Sequence, residues 1–350
     1  MYINQLQLEY FRNLTKIDLS PSERSNVFVG DNAQGKTSLL EAIYFCAMGK
    51  SHRTTHDSDL IQYERPYALV RCGYLRQEIR HQTNGYIDQA QKKITIDKKP
   101  IAKRSDLIGK LNCVIFSPED LKLSKGGPQE RRRFMDRCMS QIYPDYFYNL
   151  TVYDKNLKMR NAELKKGGKH LEIWDVGLAK SGVVLYRHRQ DFVAQLQQAA
   201  GPIISQIAPE ETLSLEYHVP PSLLEEDSYT GALAKAKERD LRNMSTGLGP
   251  HRDDILININ GKEVRSFGSQ GQQRTAALCL KLAELEIMRS ALQDSPILLL
   301  DDVMSELDRR RQKHLIDMIG SIQSFITTTH LDFEHQGTVF AIQRGTIQKG

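Results

Sequence analysis

The chain is 350 residues long, 40% hydrophobic and 26% charged, with a formal net charge of +5 at pH 7; this suits one large or two medium globular domains and is too mild to identify a polyanionic partner. Its long apolar runs, such as Ile297–Leu300, are only strand-sized, and Met1-Tyr-Ile-Asn-Gln-Leu-Gln lacks the basic start and apolar core of a signal peptide, so no membrane partner is expected and the expected compartment is the cytoplasm. Cys46, Cys72, Cys113, Cys138 and Cys279 form no C-x-x-C pair, which argues against a zinc cluster or a disulfide framework.

Apolar and polar positions alternate through Ile3, Leu6, Leu8 and Tyr10 and again through Leu14, Ile17 and Leu19, which predicts one or two hairpins. They lead into Val27-Phe-Val-Gly-Asp-Asn-Ala-Gln-Gly-Lys-Thr-Ser-Leu-Leu, a buried strand, a glycine-rich turn and a helix. Gly30, Gly35, Lys36 and Thr37 complete G-x-x-x-x-G-K-[ST]. The glycines let backbone N–H groups curl round phosphate oxygens, Lys36 carries charge to the β/γ-phosphates, and the Thr37 hydroxyl suits Mg²⁺. The helix N-terminus adds its dipole. The expected nucleotide-binding set is Gly30, Asp31, Asn32, Ala33, Gln34, Gly35, Lys36, Thr37 and Ser38. A P-loop alone leaves kinases, GTPases, transporters and DNA motors open.

After a basic loop at Gly49-Lys-Ser-His-Arg-Thr, further strands are expected at Ala68–Leu75, Lys93–Ile96 and Leu111–Phe116. Composition changes at Ser117-Pro118-Glu119-Asp120, and the pattern turns helical after Lys125-Gly-Gly-Pro128. One helix is opened by Arg131, Arg132 and Arg133; a second covers about 145–165; a third, from about His170 to Ala199, puts Trp174, Leu178, Leu185, Phe192 and Leu196 near one face. This arm is expected to end around Pro220-Pro221. Between Lys155 and Lys169 six basic residues stand against the single acid Glu163. That run fits either a solvated helix face or contact with a phosphate backbone, with Lys155, Lys158, Lys165 and Lys166 the candidate DNA residues. From Thr246-Gly-Leu-Gly-Pro-His-Arg-Asp-Asp254 strand pattern returns, with Ile255, Ile257 and Ile259 ahead of an Asn260-Gly261 turn.

Ser269-Gln270-Gly271-Gln272 precedes a long helix striped with Leu278, Leu282, Leu285 and Met288. It resembles the signature of ABC ATPases, L-S-G-G-Q, at Ser269, Gly271 and Gln272 and departs from it at Gly268 and Gln270. A Ser–Gly pair at a helix start offers a hydroxyl, backbone donors and a dipole to a phosphate, and it is equally an ordinary N-cap. Pro296-Ile-Leu-Leu-Leu-Asp301-Asp302 is an apolar strand ending in two carboxylates, at the edge where open α/β sheets bind ligands. Asp301 fits the Walker B role of holding Mg²⁺. Asp302 stands where ABC ATPases usually carry a glutamate that orients the attacking water. It is one methylene shorter, so slow hydrolysis is expected. Ser305, Glu306, Leu307 and Asp308 match the ABC interface loop, and His330, ending Phe325-Ile-Thr-Thr-Thr-His, stands where the switch histidine follows a strand.

This order of motifs resembles the SMC-like heads of DNA-repair ATPases. Leu6-Gln-Leu-Glu-Tyr-Phe-Arg-Asn, Lys50-Ser-His-Arg-Thr, Phe116-Ser-Pro-Glu-Asp-Leu with Gly127-Pro-Gln-Glu-Arg-Arg-Arg-Phe, Gly249-Pro-His-Arg-Asp-Asp and Leu299-Leu-Asp-Asp-Val-Met-Ser-Glu-Leu-Asp are similar to the RecF family of bacterial recombination mediators over essentially the whole chain. The resemblance implies an α/β ABC-type (SMC-like) P-loop ATPase head at 1–117 and 246–350 with an inserted, mostly helical arm at 118–245. It implies ATP and Mg²⁺ as cofactors, an ATP-dependent homodimer with Ser269–Gln272 offered in trans to the γ-phosphate, and weak ATPase activity linked to dimer dissociation. It also implies DNA binding at single-strand gaps and junctions, and action with RecR and RecO in loading the RecA recombinase. A transport ATPase would need an arm for a membrane partner, and a metabolic kinase has no use for a signature.

Overall fold

Alternating burial makes an antiparallel hairpin of β1 (Tyr2–Phe11) and β2 (Leu14–Leu19), followed by β3 (Ser25–Val29) and α1 (Lys36–Met48). Next come β4 (Tyr67–Arg76), β5 (Ile79–Asp88), β6 (Lys92–Ile96), β7 (Lys99–Pro100) and β8 (Cys113–Phe116). The computed structural model describes residues 1–320, 322–333 and 337–349. It divides into two units, Met1–Asp120 with Met288–Gly350, and Leu121–Ile287. The first boundary falls where the composition changes, at the turn Pro118–Leu121.

The sequence pattern does not predict β5. Its residues Ile79-Arg-His-Gln-Thr-Asn-Gly-Tyr-Ile-Asp are mostly polar, and the turn before it places Gln77 and Glu78 at φ 48° and 64° without the Asn or Gly that usually marks such a turn. Pairing with β4 on one side and β6 on the other makes it a strand, because sheet context outweighs intrinsic propensity.

The second unit holds α2 (Lys122–Lys125), α3 (Pro128–Ile142), α4 (Pro144–Leu164) and α5 (Leu171–Ile207). Proline at the first position starts both α3 and α4, where its missing N–H costs nothing. α5 runs past the expected end at Ala199, through Pro202. Then come β9 (Leu213–Glu216), α6 (Glu226–Lys235), α7 (Lys237–Asn243), β10 (Leu256–Ile259), β11 (Lys262–Glu263), α8 (Val264–Phe267) and the start of α9 (Gln270–Leu292). The return to the first unit comes at Met288, whereas the residue pattern predicts it at 246. Two interactions hold the intervening segment in the second unit: β10 pairs with β9, and Asp254 takes two hydrogen bonds from Arg131 of α3. The insertion is therefore mixed, with a three-stranded sheet beside its helices.

The first unit finishes with β12 (Ile297–Asp301), α10 (Arg309–Ile319), β13 (Ser324–Thr328), β14 (Gly337–Gln343) and β15 (Thr346–Lys349). Its two sheets have the orders β2-β1-β4-β5-β6-β7 and β15-β14-β3-β13-β12-β8. In the second sheet β14, β3, β13, β12 and β8 run parallel, so the carboxyl ends of β3, β12 and β13 share one edge. α1 packs against strands of both sheets, and every residue in it except Thr37 is buried. A helix apolar on nearly all sides is stable only when enclosed in this way. The Cys residues are all buried and free.

The fit of α1 is tight at Gly85 of β5, where an added Cβ would lie 2.3 Å from Cε1 of Phe45. Gly85→Ala is expected to destabilise the first unit by about 1–3 kcal/mol through overpacking. A fall in the urea midpoint at unchanged slope is the measurement that checks it.

Candidate nucleotide site

The glycine-rich loop joins β3 to α1 at the carboxyl edge of the parallel sheet. Gly35 takes φ 110°, a region other residues seldom enter, and a Cβ there would lie 2.5 Å from Leu14. Asn13, in the β1–β2 turn, braces the loop twice: its Nδ2 donates to the Ala33 carbonyl at 2.8 Å and its Oδ1 accepts from the Ser38 hydroxyl at 2.8 Å. Gln34 is tied on the other side, its Oε1 accepting from the Arg344 N–H at 2.6 Å.

Lys36 is 7% exposed, and its ammonium turns back onto the loop, donating to the Gly30 carbonyl and, at 3.0 Å, to that of Asp31. Burial lowers its pKa, opposed by the charges of Asp302, Asp301 and Asp31. The Thr37 hydroxyl donates to Asp301 Oδ1 at 2.8 Å and Thr327 donates to the same oxygen at 2.9 Å. Burial raises the Asp301 pKa against those two bonds. A cation beside Asp301 would relieve that desolvation. Thr37 and Asp301 are the oxygen donors a Mg²⁺ would use, with phosphate and water completing its shell. Among the described residues no group of three or more His, Cys, Asp or Glu would hold a metal on protein ligands alone.

Asp302 follows with φ 53°, its N–H bonded to Thr327 Oγ1 at 3.0 Å, and its Oδ1 is buried without a partner. Asn32, Ala33, Gly35, Lys36, Thr37, Ser38, Asp301 and Asp302 all line one cleft of about 500 Å³.

The same cleft is lined by Arg12, Asn13, Arg53, Asp59 and Ile61, which residue chemistry alone does not single out. Arg12 and Asn13 lie in a stretch singled out only by the family likeness, and Arg53 in the loop read as basic. Arg12 also grips Glu41, a carboxylate fully buried in α1, at 2.9 and 2.7 Å. Burial would raise the Glu41 pKa, but hydrogen bonds from Arg12 and Ser51 and the charges of Arg12 and Arg53 leave it below the ordinary value.

The remaining candidate residues divide by position. Asp308 caps α10, accepting from the Arg311 N–H at 3.0 Å, and Ser305 donates to the Asp302 carbonyl at 2.7 Å; Ser305 and Glu306 are exposed and Leu307 half-buried. His330 is exposed beyond β13, its carbonyl bonded by Thr328 at 2.7 Å, and among the described residues it lies outside the cleft lining. In the second unit Ser269 and Gln272 form a reciprocal cap on α9: Ser269 Oγ accepts from the Gln272 N–H at 3.2 Å, and Gln272 Oε1 from the Ser269 N–H at 3.0 Å. Ser269, Gln270 and Gly271 are exposed. Lys155, Lys158, Lys165 and Lys166 are exposed as well, but Arg160, from the same basic run, is fully buried between Asp175 and Asp240.

The fold and cleft are those of an α/β ABC-type ATPase head of the SMC-like kind. The family described as RecF/RecN/SMC N terminal domain matches residues 2–342. A Pyrococcus furiosus Smc head domain shares the fold at TM-score 0.60 and 16% identity, over 100% of this chain and 96% of that one. The chain belongs to the RecF family. It is 41% identical to the DNA replication and repair protein RecF of Alkaliphilus oremlandii, covering 99% of this chain and all of that protein, and 40% identical to that of Bacillus subtilis over the whole of both. A solved structure of the recombination mediator protein RecF with ATP, in the RecFOR pathway, superposes at TM-score 0.93 and 36% identity, covering 99% of this chain and 97% of that one.

Lys36→Met keeps the loop backbone and removes the charge meant for the β/γ-phosphates. It is expected to leave the unfolding temperature within a few degrees of wild type and to abolish productive ATP binding. Titration with a fluorescent ATP analogue checks this, and retained affinity would sink the site assignment.

Proposed function

We propose that this chain is an ATP-dependent, DNA-binding recombination mediator of the cytoplasm that acts at single-strand gaps in replication and repair, with RecR and RecO as partners in loading RecA. The observation that carries the reading is the convergence of Lys36, Thr37, Asp301 and Asp302 on one cleft in a chain of the RecF family. Among the described residues no helix is long and apolar enough to cross a membrane.

In this reading ATP lies along the loop, Lys36 meets its β/γ-phosphates, and Thr37 with Asp301 holds Mg²⁺, which neutralises phosphate charge when bound. Asp302 orients the attacking water. As an aspartate it reaches less far than the glutamate usual in ABC proteins, and turnover is slow. The exposed turn Ser269–Gln272 contacts the γ-phosphate held by a second copy, so ATP joins two chains and hydrolysis releases them. His330 and the loop Ser305–Asp308 serve that interface. The γ-phosphate supplies the differential interaction that a ligand-driven change of state requires. DNA lies against the exposed lysines Lys155, Lys158, Lys165 and Lys166, which hold the phosphate backbone without reading sequence.

Two experiments test this. Ser269→Arg sets a long cationic side chain where the second copy's nucleotide sits; light scattering is expected to show no ATP-dependent dimer, while monomer ATP binding stays nearly intact. Mixed with Lys36→Met it should regain partial association, because both lesions can fall in one of the two composite sites. Dimerisation of Ser269→Arg alone by ATP would rule the arrangement out. Separately, Lys165→Glu with Lys166→Glu is expected to weaken DNA binding at every sequence and to flatten the slope of log K against log salt by about two. An unchanged slope would leave these lysines as solubilising residues only.

A further inference from the structure

We infer that Arg131 is a positioning residue for the signature turn, an inference that rests on the proposed role of Ser269–Gln272 in trans. Arg131 is 4% exposed, although it opens a run of three arginines. Its Nε and Nη2 donate to the two carboxylate oxygens of Asp254 at 2.6 and 2.7 Å, and its Nη1 donates to the carbonyls of Leu123 and Gly126 at 3.1 and 2.9 Å. One guanidinium thus joins the Gly249-Pro-His-Arg-Asp-Asp254 stretch to the turn after α2. Neither stretch has a place in the nucleotide chemistry described above.

Both partners lead to the same place. From the end of α2, Ser124, 1% exposed, holds its hydroxyl 2.8 Å from the Gln273 carbonyl in the first turn of α9, the nearer of two acceptors, the other being the Leu121 carbonyl at 3.0 Å. From Asp254 the chain enters β10, crosses to β11 and reaches α8, and Gln273 Nε2 donates back to the Gly268 carbonyl at 3.2 Å. The two routes close a ring around the signature turn, with Arg131 as the joint opposite it. The turn needs this frame because Ser269, Gln270 and Gly271 are exposed, and a Cβ at Gly271 would meet only Ser269 Oγ, at 3.7 Å. Donors aimed at a phosphate act in proportion to how well they are held in place beforehand.

The test uses the full chain. Arg131→Lys keeps the charge, but an ammonium lacks the planar fork that serves both Asp254 oxygens and two carbonyls at once. Monomer affinity for a fluorescent ATP analogue is expected to stay within about twofold of wild type, while ATP-dependent association measured by light scattering weakens about tenfold or more, the order of one lost charge-assisted hydrogen bond. Ser124→Ala should weaken association about threefold, and the double variant no further than Arg131→Lys alone, since the two residues act in series. A purely structural role would lower the unfolding temperature and leave association of the folded protein unchanged, and that outcome overturns the inference. Additive losses in the double variant overturn it as well. If Arg131→Lys does not fold, Ser124→Ala decides alone: unchanged association refutes the frame and weakened association supports it. A wild-type chain that fails to associate with ATP refutes the signature reading and the inference with it; a wild type that associates, matched by both variants, refutes the inference only.

Discussion

The structure of the first unit depends on the enclosure of α1. Leu39, Leu40, Ile43, Phe45 and Met48 are all within 1% of complete burial and belong to a core shared with β1, β4 and the parallel strands. Each such side chain contributes about 1.5–3 kcal/mol relative to exposure, so the helix has one stable place and its N-terminus one direction. The same enclosure traps Glu41, whose charge would be prohibitive without Arg12, Ser51 and Arg53 around it. Arg12 and Arg53 thereby reach the rim of the nucleotide cleft. Packing and the electrostatics of the site are one problem here, solved by the same residues.

In the second unit buried ion pairs are set among the apolar core residues. Arg160 is held by Asp175 at 2.5 Å and Asp240 at 2.7 Å, and Arg189 by Asp136 at 2.8 Å and Asp253 at 3.2 Å. Burial raises the pKa of both Asp175 and Asp253 against the pull of their arginines. Pairs of this kind add little net stability, yet removing one partner costs about 3–5 kcal/mol because a buried charge is left alone. His251 belongs to the same arrangement: burial pushes its pKa down to about 4, so the neutral ring accepts from Tyr153 at 2.7 Å and donates to the Thr246 carbonyl at 2.9 Å.

These two modes of construction suit the two tasks proposed for the chain. A nucleotide loop needs a rigid backbone cradle, which dense apolar packing around α1 provides. A signature turn proposed to meet a second copy must stay exposed and still be held in place, and in the frame inferred for it the directional hydrogen bonds of Arg131 serve that end without covering it.

By itself the sequence determined the elements whose chemistry is local. The P-loop, the acidic end of β12 and the serine cap of α9 were legible because fixed spacing of glycine, lysine, hydroxyl and carboxylate within a few residues specifies the local structure. The long helices were legible from their periodicity. Tertiary structure decided what depends on partners far apart in the chain. Only the folded protein shows that β5 is a strand, since two neighbouring strands make it one. Only it shows that Arg12, Asn13 and Arg53 line the nucleotide cleft, or that Arg131 and Arg160 are buried against carboxylates while the lysines near Arg160 face solvent. A charged residue reads the same in sequence whether it meets water or a buried carboxylate, and the carboxylates in question, Asp254 and Asp240, lie far along the chain.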